Sequence, residues 1–370
     1  MTLLDELTSH TEQMAQAALD LCRIESPSDD LPRLAEVAEH TAALGTRLLG
    51  RSPQRITIQE RPALYWEPTP GGVLLLGHLD TVWPVGTLAR WPIPLRTETR
   101  LSAPGVFDMK AGVVQGLYAM AALDAPPGCG LLLTTDEEIG SPVFRPLIEK
   151  TAARAGAVLV LEASADGALK TGRKGVSQYV VRVTGRAAHA GLEPENGVNA
   201  FLELAEQART VASFGTGALT VTPTLATAGT TANTVPAEGH FHVDARANTR
   251  GEQEFLHARI TTLTATRPRA EVAVEGGPIR PPMETAQAAP LLAAARAAAA
   301  DLGFGDIGAV SVGGASDGNL TAGIGIPTLD GLGAVGAHAH AEGEYVEIAE
   351  LPKRAALVAE LVTWLLEHKR

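Results

Sequence analysis

Apolar positions fall into two patterns along the chain. In the first, GGVLLLGHLDTV, CGLLLTTDEE and GAVLVLEAS each carry several apolar residues without a polar break. A strand wet on one face alternates, so a continuous run predicts a strand buried on both faces, as in a parallel sheet. Between these runs, GVFDMKAGVVQGLYAMAALDA opens with a turn and continues as a helix of small and apolar residues. The stretch from about Leu3 to Arg23 repeats apolar residues at helical spacing, with Leu7, Met14, Ala18 and Leu21 near one face. Helix and strand alternate in this way to about residue 176. The prediction is an α/β domain with a mixed, mostly parallel sheet and helices on both faces.

From about Val176 the second pattern takes over. QYVVRVTG alternates like an antiparallel strand with one wet face. NGVNAFLELAEQARTVASF reads as a helix, ALTVTPTLATAG and GHFHVDARANT as strands, GEQEFLHARITTLTAT as a helix and AEVAVEGG as a last strand. The order β-α-β-β-α-β is ferredoxin-like. Near Pro282 the first pattern returns, as helix, strand and helix. The expected organisation is a discontinuous domain, 1–176 and 283–370, with a smaller domain, 177–282, inserted in it. A length of 370 residues also favours two cores over one.

Composition narrows the function classes. Hydrophobic residues at 45% and charged residues at 19% are a globular balance. A formal net charge of −12 argues against a nucleic-acid partner, which needs a basic face. Cys22 and Cys129 form no CxxC, so neither a disulfide framework nor a thiolate zinc site is expected. The N-terminal stretch has acids early and no basic segment before an apolar run, so it reads as an amphipathic helix, and no apolar stretch is long enough to cross a bilayer. The expected compartment is the cytoplasm.

The chemistry-bearing residues stand at the ends of the apolar runs. In GHLDTV, His78 and Asp80 are two apart and share a strand face, so Asp80 could orient the imidazole of a ligand. An isolated His-x-Asp is more often a structural pair. Asp108, in GVFDMKAG, precedes a helix and, taken alone, reads as an N-cap before it reads as a ligand. In LLLTTDEEIGS, Asp136, Glu137 and Glu138 follow a buried strand. They are either a solvated turn or a place where Glu138 binds a cation and Glu137 acts on water as general base. Glu162 closes another apolar run, where an unpaired carboxylate is costly. His338 and His340 lie in a Gly/Ala-rich loop, and either could be a ligand. Together His78, Asp108, Glu138, Glu162 and His340 supply two histidines and three carboxylates. That is a donor set for two zinc-like ions with one carboxylate bridging.

With these residues in place, the chain resembles the dizinc family of acetylornithine deacetylase, succinyl-diaminopimelate desuccinylase and aminoacylase, and is most similar to its glutamate carboxypeptidase branch. The likeness covers nearly the whole chain through GHLDTV, GVFDMKAG, TTDEEIGS, VLEAS, GRAAHAGLEPENGVNA, ANTVP, VDAR, GGASDGN and HAEGEYV, in that order. The resemblance implies two Zn2+ ions, with Co2+ or Mn2+ as substitutes. His78 and Glu162 would hold one and Glu138 and His340 the other, with Asp108 bridging and a cis peptide after it. Glu137 would be the general base and Asp80 the clamp on His78. The inserted domain would be a lid and the dimer interface. His189 would reach the partner subunit's site and polarise the scissile carbonyl. Asn233 would be a second donor there, Arg246 a fork for the substrate carboxylate, and Gly314, Ser316 and Asp317 the loop near the substrate's carboxyl end. Departures are the second histidine, His338, where the family often has glycine, and the loose match of Arg280, which with Arg173 and Lys174 could select an acidic side chain. The implied substrate is a small peptide or N-acyl amino acid cut at its last amide. An N-acyl amino acid deacylase and a metal-free peptide-binding relative are the alternatives.

Overall fold

The structure, a computed structural model, describes residues 2–368. It divides into two compact units, one reaching from the N-terminus to Gly172 with Thr285–Val312 and the stretch from Ser316 onward, the other Arg173–Glu284 with Gly313–Ala315.

The larger unit is built on a six-stranded sheet in the order Gln54–Ile58, Arg61–Trp66, Cys129–Thr134, Val73–His78, Ala157–Val160, Thr328–Leu329. The last four run parallel, and the first two form an antiparallel edge. The three central strands are buried along their whole length, as their unbroken apolar runs predict. On one face, Leu74, Leu76, Leu132, Val158 and Val160 pack with Phe144, Ile148, Ala152 and Leu320 from helices and their approaches. On the other, the helix Ala111–Ala122 lies so close that a Cβ on Gly112 would stand 2.1 Å from the Leu161 carbonyl oxygen. Only glycine permits that approach, and it draws the start of this helix, next to Asp108, down onto the strand ends.

The N-terminal helix differs from expectation. It breaks at His10 into Leu3–Ser9 and Thr11–Arg23. Ser9 and Thr11 turn their hydroxyls onto the carbonyls of Glu6 and Thr8, the local competition that Ser and Thr offer to a helix. The buried face is nevertheless as read, since Leu7, Met14, Ala18 and Leu21 are all in the core.

The smaller unit is a four-stranded antiparallel sheet, Glu271–Arg280, Gly175–Thr184, Glu238–Ala247, Thr220–Ala228 in spatial order, with the helices Ala200–Ala212 and Arg250–Thr261. Its core joins the inward residues Tyr179, Val181, Val183, Phe241 and Val243 to Leu204, Leu256 and Ile260 of the helices. A buried carboxylate, Glu203, ties this unit together. It accepts from Gln207 Nε2 (2.7 Å), Thr266 N and Oγ1 (2.9 and 2.8 Å) and Arg267 N (2.8 Å). Burial alone would raise its pKa, but these donors outweigh it and hold the carboxyl below its ordinary value. Glu203→Ala is expected to cost roughly 2–3 kcal/mol by leaving those donors unmatched. Because the folded pKa is the lower one, the contribution is present above the ordinary Glu range and disappears as pH falls through the folded value. Thermal unfolding of the wild type and variant at neutral and acid pH checks both; equal melting at neutral pH would refute the assignment.

Candidate metal centre

Parallel pairing brings the carboxyl ends of three neighbouring strands together, with His78 opposite Thr134 and Leu76 opposite Val160. The chain leaves the sheet there, and its next residues are the candidates. His78, with 2% of its side chain exposed, directs Nε2 at Asp108 Oδ1 (3.2 Å) and Glu162 Oε1 (3.6 Å). Its Nδ1 lies 3.0 Å from the Asp80 backbone carbonyl and 3.4 Å from Asp80 Oδ1. The main-chain carbonyl, as well as the expected carboxylate, therefore orients the ring. With Nδ1 as donor, Nε2 offers a lone pair. The Asp80 carboxylate also accepts from Ser28 Oγ (2.7 Å) and from the amides of Glu137 (3.3 Å) and Glu138 (3.1 Å). One residue thus fixes both the imidazole and the acidic turn, and nothing in the sequence pointed to Ser28.

The three consecutive acids do not share one direction. Asp136 is buried and turns back to accept from the amides of Val143 and Phe144. Glu138 places Oε2 3.2 Å from His340 Nε2. Its Oε1 is buried with no hydrogen-bond partner among the described residues. Glu137 belongs to a cluster with His78 and Glu162 whose facing atoms lie within 4.8 Å of one another.

Asp108 sits in a π-type turn, Val106–Lys110, and not at an N-cap; its bond to Met109 is cis. Its Oδ1 faces His78 and its Oδ2 lies 3.3 Å from His340 Nε2. His340 is therefore the histidine of its loop that joins the cluster, while His338 tilts against Tyr345 at 5.9 Å between rings. Sequence reasoning gave no role to Glu344. It is fully buried and accepts from the amides of Gly105, Phe107 and Asp108 and from the Trp83 indole.

The carboxylates dominate the electrostatics of the cluster. Asp108 and then Glu138 push the His340 imidazole up to about 10. Burial opposes the charging of His78, yet Asp108, Asp80 and Glu162 together carry its pKa well above the ordinary value. Burial also raises Glu138. The residues fit a pair of metal ions on geometry as well. Atoms bound to one tetrahedral zinc at ~2.0–2.2 Å lie about 3.3–3.6 Å apart. The four His-to-carboxylate separations are 3.2, 3.6, 3.3 and 3.2 Å. The unpartnered Glu138 oxygen is the buried acceptor such an ion would satisfy.

The remaining candidates are on the smaller unit, except Ser316 and Asp317. His189 and Asn233 are exposed neighbours, joined by the Ala190 amide donating to the Asn233 carbonyl (2.9 Å). The Gly191 amide donates to His189 Nδ1 (3.1 Å), which leaves Nε2 to carry the proton of the neutral ring. The Arg246 fork is held by Asp244 at 2.8 and 2.9 Å. Arg280 is buried, Arg173 donates to the Gly314 carbonyl, and Lys174 to the Ala218 carbonyl. Ser316, expected beside substrate, is buried with its hydroxyl on Asp330 (2.6 Å), and Asp317 accepts from Ser141. Sequence order alone cannot separate a loop's exposed residues from those that support it.

A doubly covered sheet that gathers histidines and carboxylates at its parallel strand ends, interrupted by a ferredoxin-like unit, defines a class of metal-dependent peptidases. Within it, the chain belongs to peptidase family M20/M25/M40, whose model matches residues 74–364. It is 30% identical to carboxypeptidase G2 of Pseudomonas sp. (strain RS-16) over 306 residues, 78% of this chain and 73% of that one. The fold is similar to aminopeptidase PepT of Bacillus cereus (TM-score 0.75, 21% identity, 96% and 99% of the two chains). It is also similar to the YXEP protein of Bacillus subtilis, a dinuclear metal binding peptidase of the M20 family (TM-score 0.70, 15% identity, 98% and 99%). No helix among the described residues is long and apolar enough to cross a membrane.

Proposed function

We propose that the protein is a dinuclear zinc carboxypeptidase that hydrolyses the amide joining an acyl or peptidyl group to a C-terminal amino acid. The observation that carries the reading is the division of Asp108, one oxygen facing His78, which also faces Glu162, and the other facing His340, which also faces Glu138. Likeness to carboxypeptidase G2 over most of both chains supports the exopeptidase direction. His78 and Glu162 would hold one ion, His340 and Glu138 the other, and Asp108 both; Co2+ or Mn2+ would substitute. Bound there, the ions would lower the pKa of water and polarise the amide carbonyl.

Glu137 does the proton work. Its carboxylate takes a proton from the attacking water as the new C–O bond forms, then delivers it to the amide nitrogen as the C–N bond breaks. His189 Nε2–H donates to the carbonyl oxygen, where negative charge develops. Asn233 is a second donor, and Arg246 binds the substrate carboxylate after exchanging Asp244 for it. We assign the protein to the cytoplasm, in keeping with its two free, buried cysteines. We also propose a homodimer through the smaller unit, with His189 serving the partner's site.

The test is amino-acid release by the zinc-loaded enzyme from a panel of N-acyl amino acids. Release led by glutamate or aspartate supports a selector such as Arg280. Release led by acetylornithine keeps the chemistry and changes the substrate. No release at all, with metal bound, overturns the reading. His189→Ala is expected to lose activity and keep its metal, and mixing it with Glu137→Ala should restore activity if His189 works in trans. No recovery after demonstrated subunit exchange would end that assignment.

A further inference from the structure

We propose that Glu344 is a positioning residue that sets the spacing between the two metal subsites, and that the His340 subsite depends on it more than the His78 subsite does. The inference rests on the dinuclear reading above. Glu344 has no exposed surface, and each of its oxygens takes two donors. Oε1 accepts from the amides of Phe107 (2.8 Å) and Asp108 (3.0 Å), and Oε2 from the Gly105 amide (3.0 Å) and Trp83 Nε1 (2.9 Å). Two of the four donors thus belong to the turn that presents Asp108, and a third, Gly105, immediately precedes it.

The same residue closes the loop of His340. Its amide donates to the Ala341 carbonyl (3.1 Å), and the Ala341 amide donates to the His338 carbonyl (2.9 Å). Its own carbonyl is fixed by Ser102 Oγ (2.7 Å). A single residue, by its side chain on one side and its main chain on the other, therefore ties the Asp108 turn to the His340 loop. His340 has little other support, since half of its side chain is exposed. His78 is held differently, by its strand and by Asp80.

A carboxylate suits the task because it only accepts, with room for about four donors. In Glu344→Gln the amide NH2 would face two N–H donors on one side, releasing the turn without changing side-chain size. Stepwise Co2+ binding by calorimetry, with visible absorption to report coordination, reads the effect apart from activity. The wild type should bind two ions. Glu344→Gln should bind one ion at least ~10-fold more weakly, in the step that His340→Ala also weakens, and the other with a clearly smaller loss. Trp83→Phe, which removes one donor and keeps the carboxylate, should weaken the same step by a smaller factor.

A folded Glu344→Gln protein with both affinities unchanged, or both lowered equally, would overturn the proposal. Should that variant not fold, an unchanged second step in Trp83→Phe would do so. A wild type that binds only one ion would instead remove the dinuclear reading, and the positioning role with it.

Discussion

Glu137→Ala is expected to keep two metal ions per chain and to lose kcat by roughly 10²–10⁴-fold, the usual contribution of a positioned acid–base group. Glu137 stands in a cluster with His78 and Glu162, so proximity alone would also allow it to be a ligand. The separate donor sets argue otherwise. Asp108 lies within 3.3 Å of both histidines, Glu162 within 3.6 Å of His78 and Glu138 within 3.2 Å of His340, with Glu138 also in a 4.8 Å group with His78 and Asp108, so two sites can be filled without Glu137. Its amide is pinned by Asp80, which holds the residue at the cluster. Metal analysis after gel filtration, beside single-turnover kinetics, separates the two roles. Loss of an ion in this variant would make Glu137 a ligand and leave the reaction without its proposed base.

Asp108→Asn should be more damaging still. An amide offers one neutral oxygen and a donor NH2, and the NH2 would be set against one of the two subsites. Metal content is expected to fall from two ions to at most one, with hydrolysis indistinguishable from the blank. The loss of affinity should exceed the roughly 10–100-fold that removal of an outer hydrogen-bond partner costs a metal site. Two ions retained at wild-type affinity would show that Asp108 does not bridge.

Much of this was legible in the chain because burial and period leave direct marks. VLLLGH, CGLLLT and AVLV read as buried strands since nothing polar interrupts them, and the alternation of the insert gave its β-α-β-β-α-β order. The candidate ligands were legible because each ends an apolar run or sits in a recognisable motif. What stayed hidden depends on contacts remote in sequence. Ser28 looks like any loop serine until Asp80 meets it, and Glu344 looks like a solvated acid until the Asp108 turn wraps around it. The antiparallel edge Gln54–Trp66 escaped notice because its first strand is largely exposed and carries few apolar residues. The direction of Asp136 is invisible for another reason: one-letter order says which acids are adjacent, but not that the backbone turns between them.

The order of the ligands along the chain also has a consequence for synthesis. His78, Asp108, Glu138 and Glu162 all precede the inserted unit, whereas His340 follows it. On the proposed dinuclear assignment, a ribosome would therefore complete the donors of one ion long before it exposes the last donor of the other. At 5–20 residues per second the interval is roughly 10–35 s. Glu344, which holds the Asp108 turn, also emerges only after the inserted unit, so on the dinuclear reading the five candidate donors can be gathered only once the C-terminal part of the chain is made.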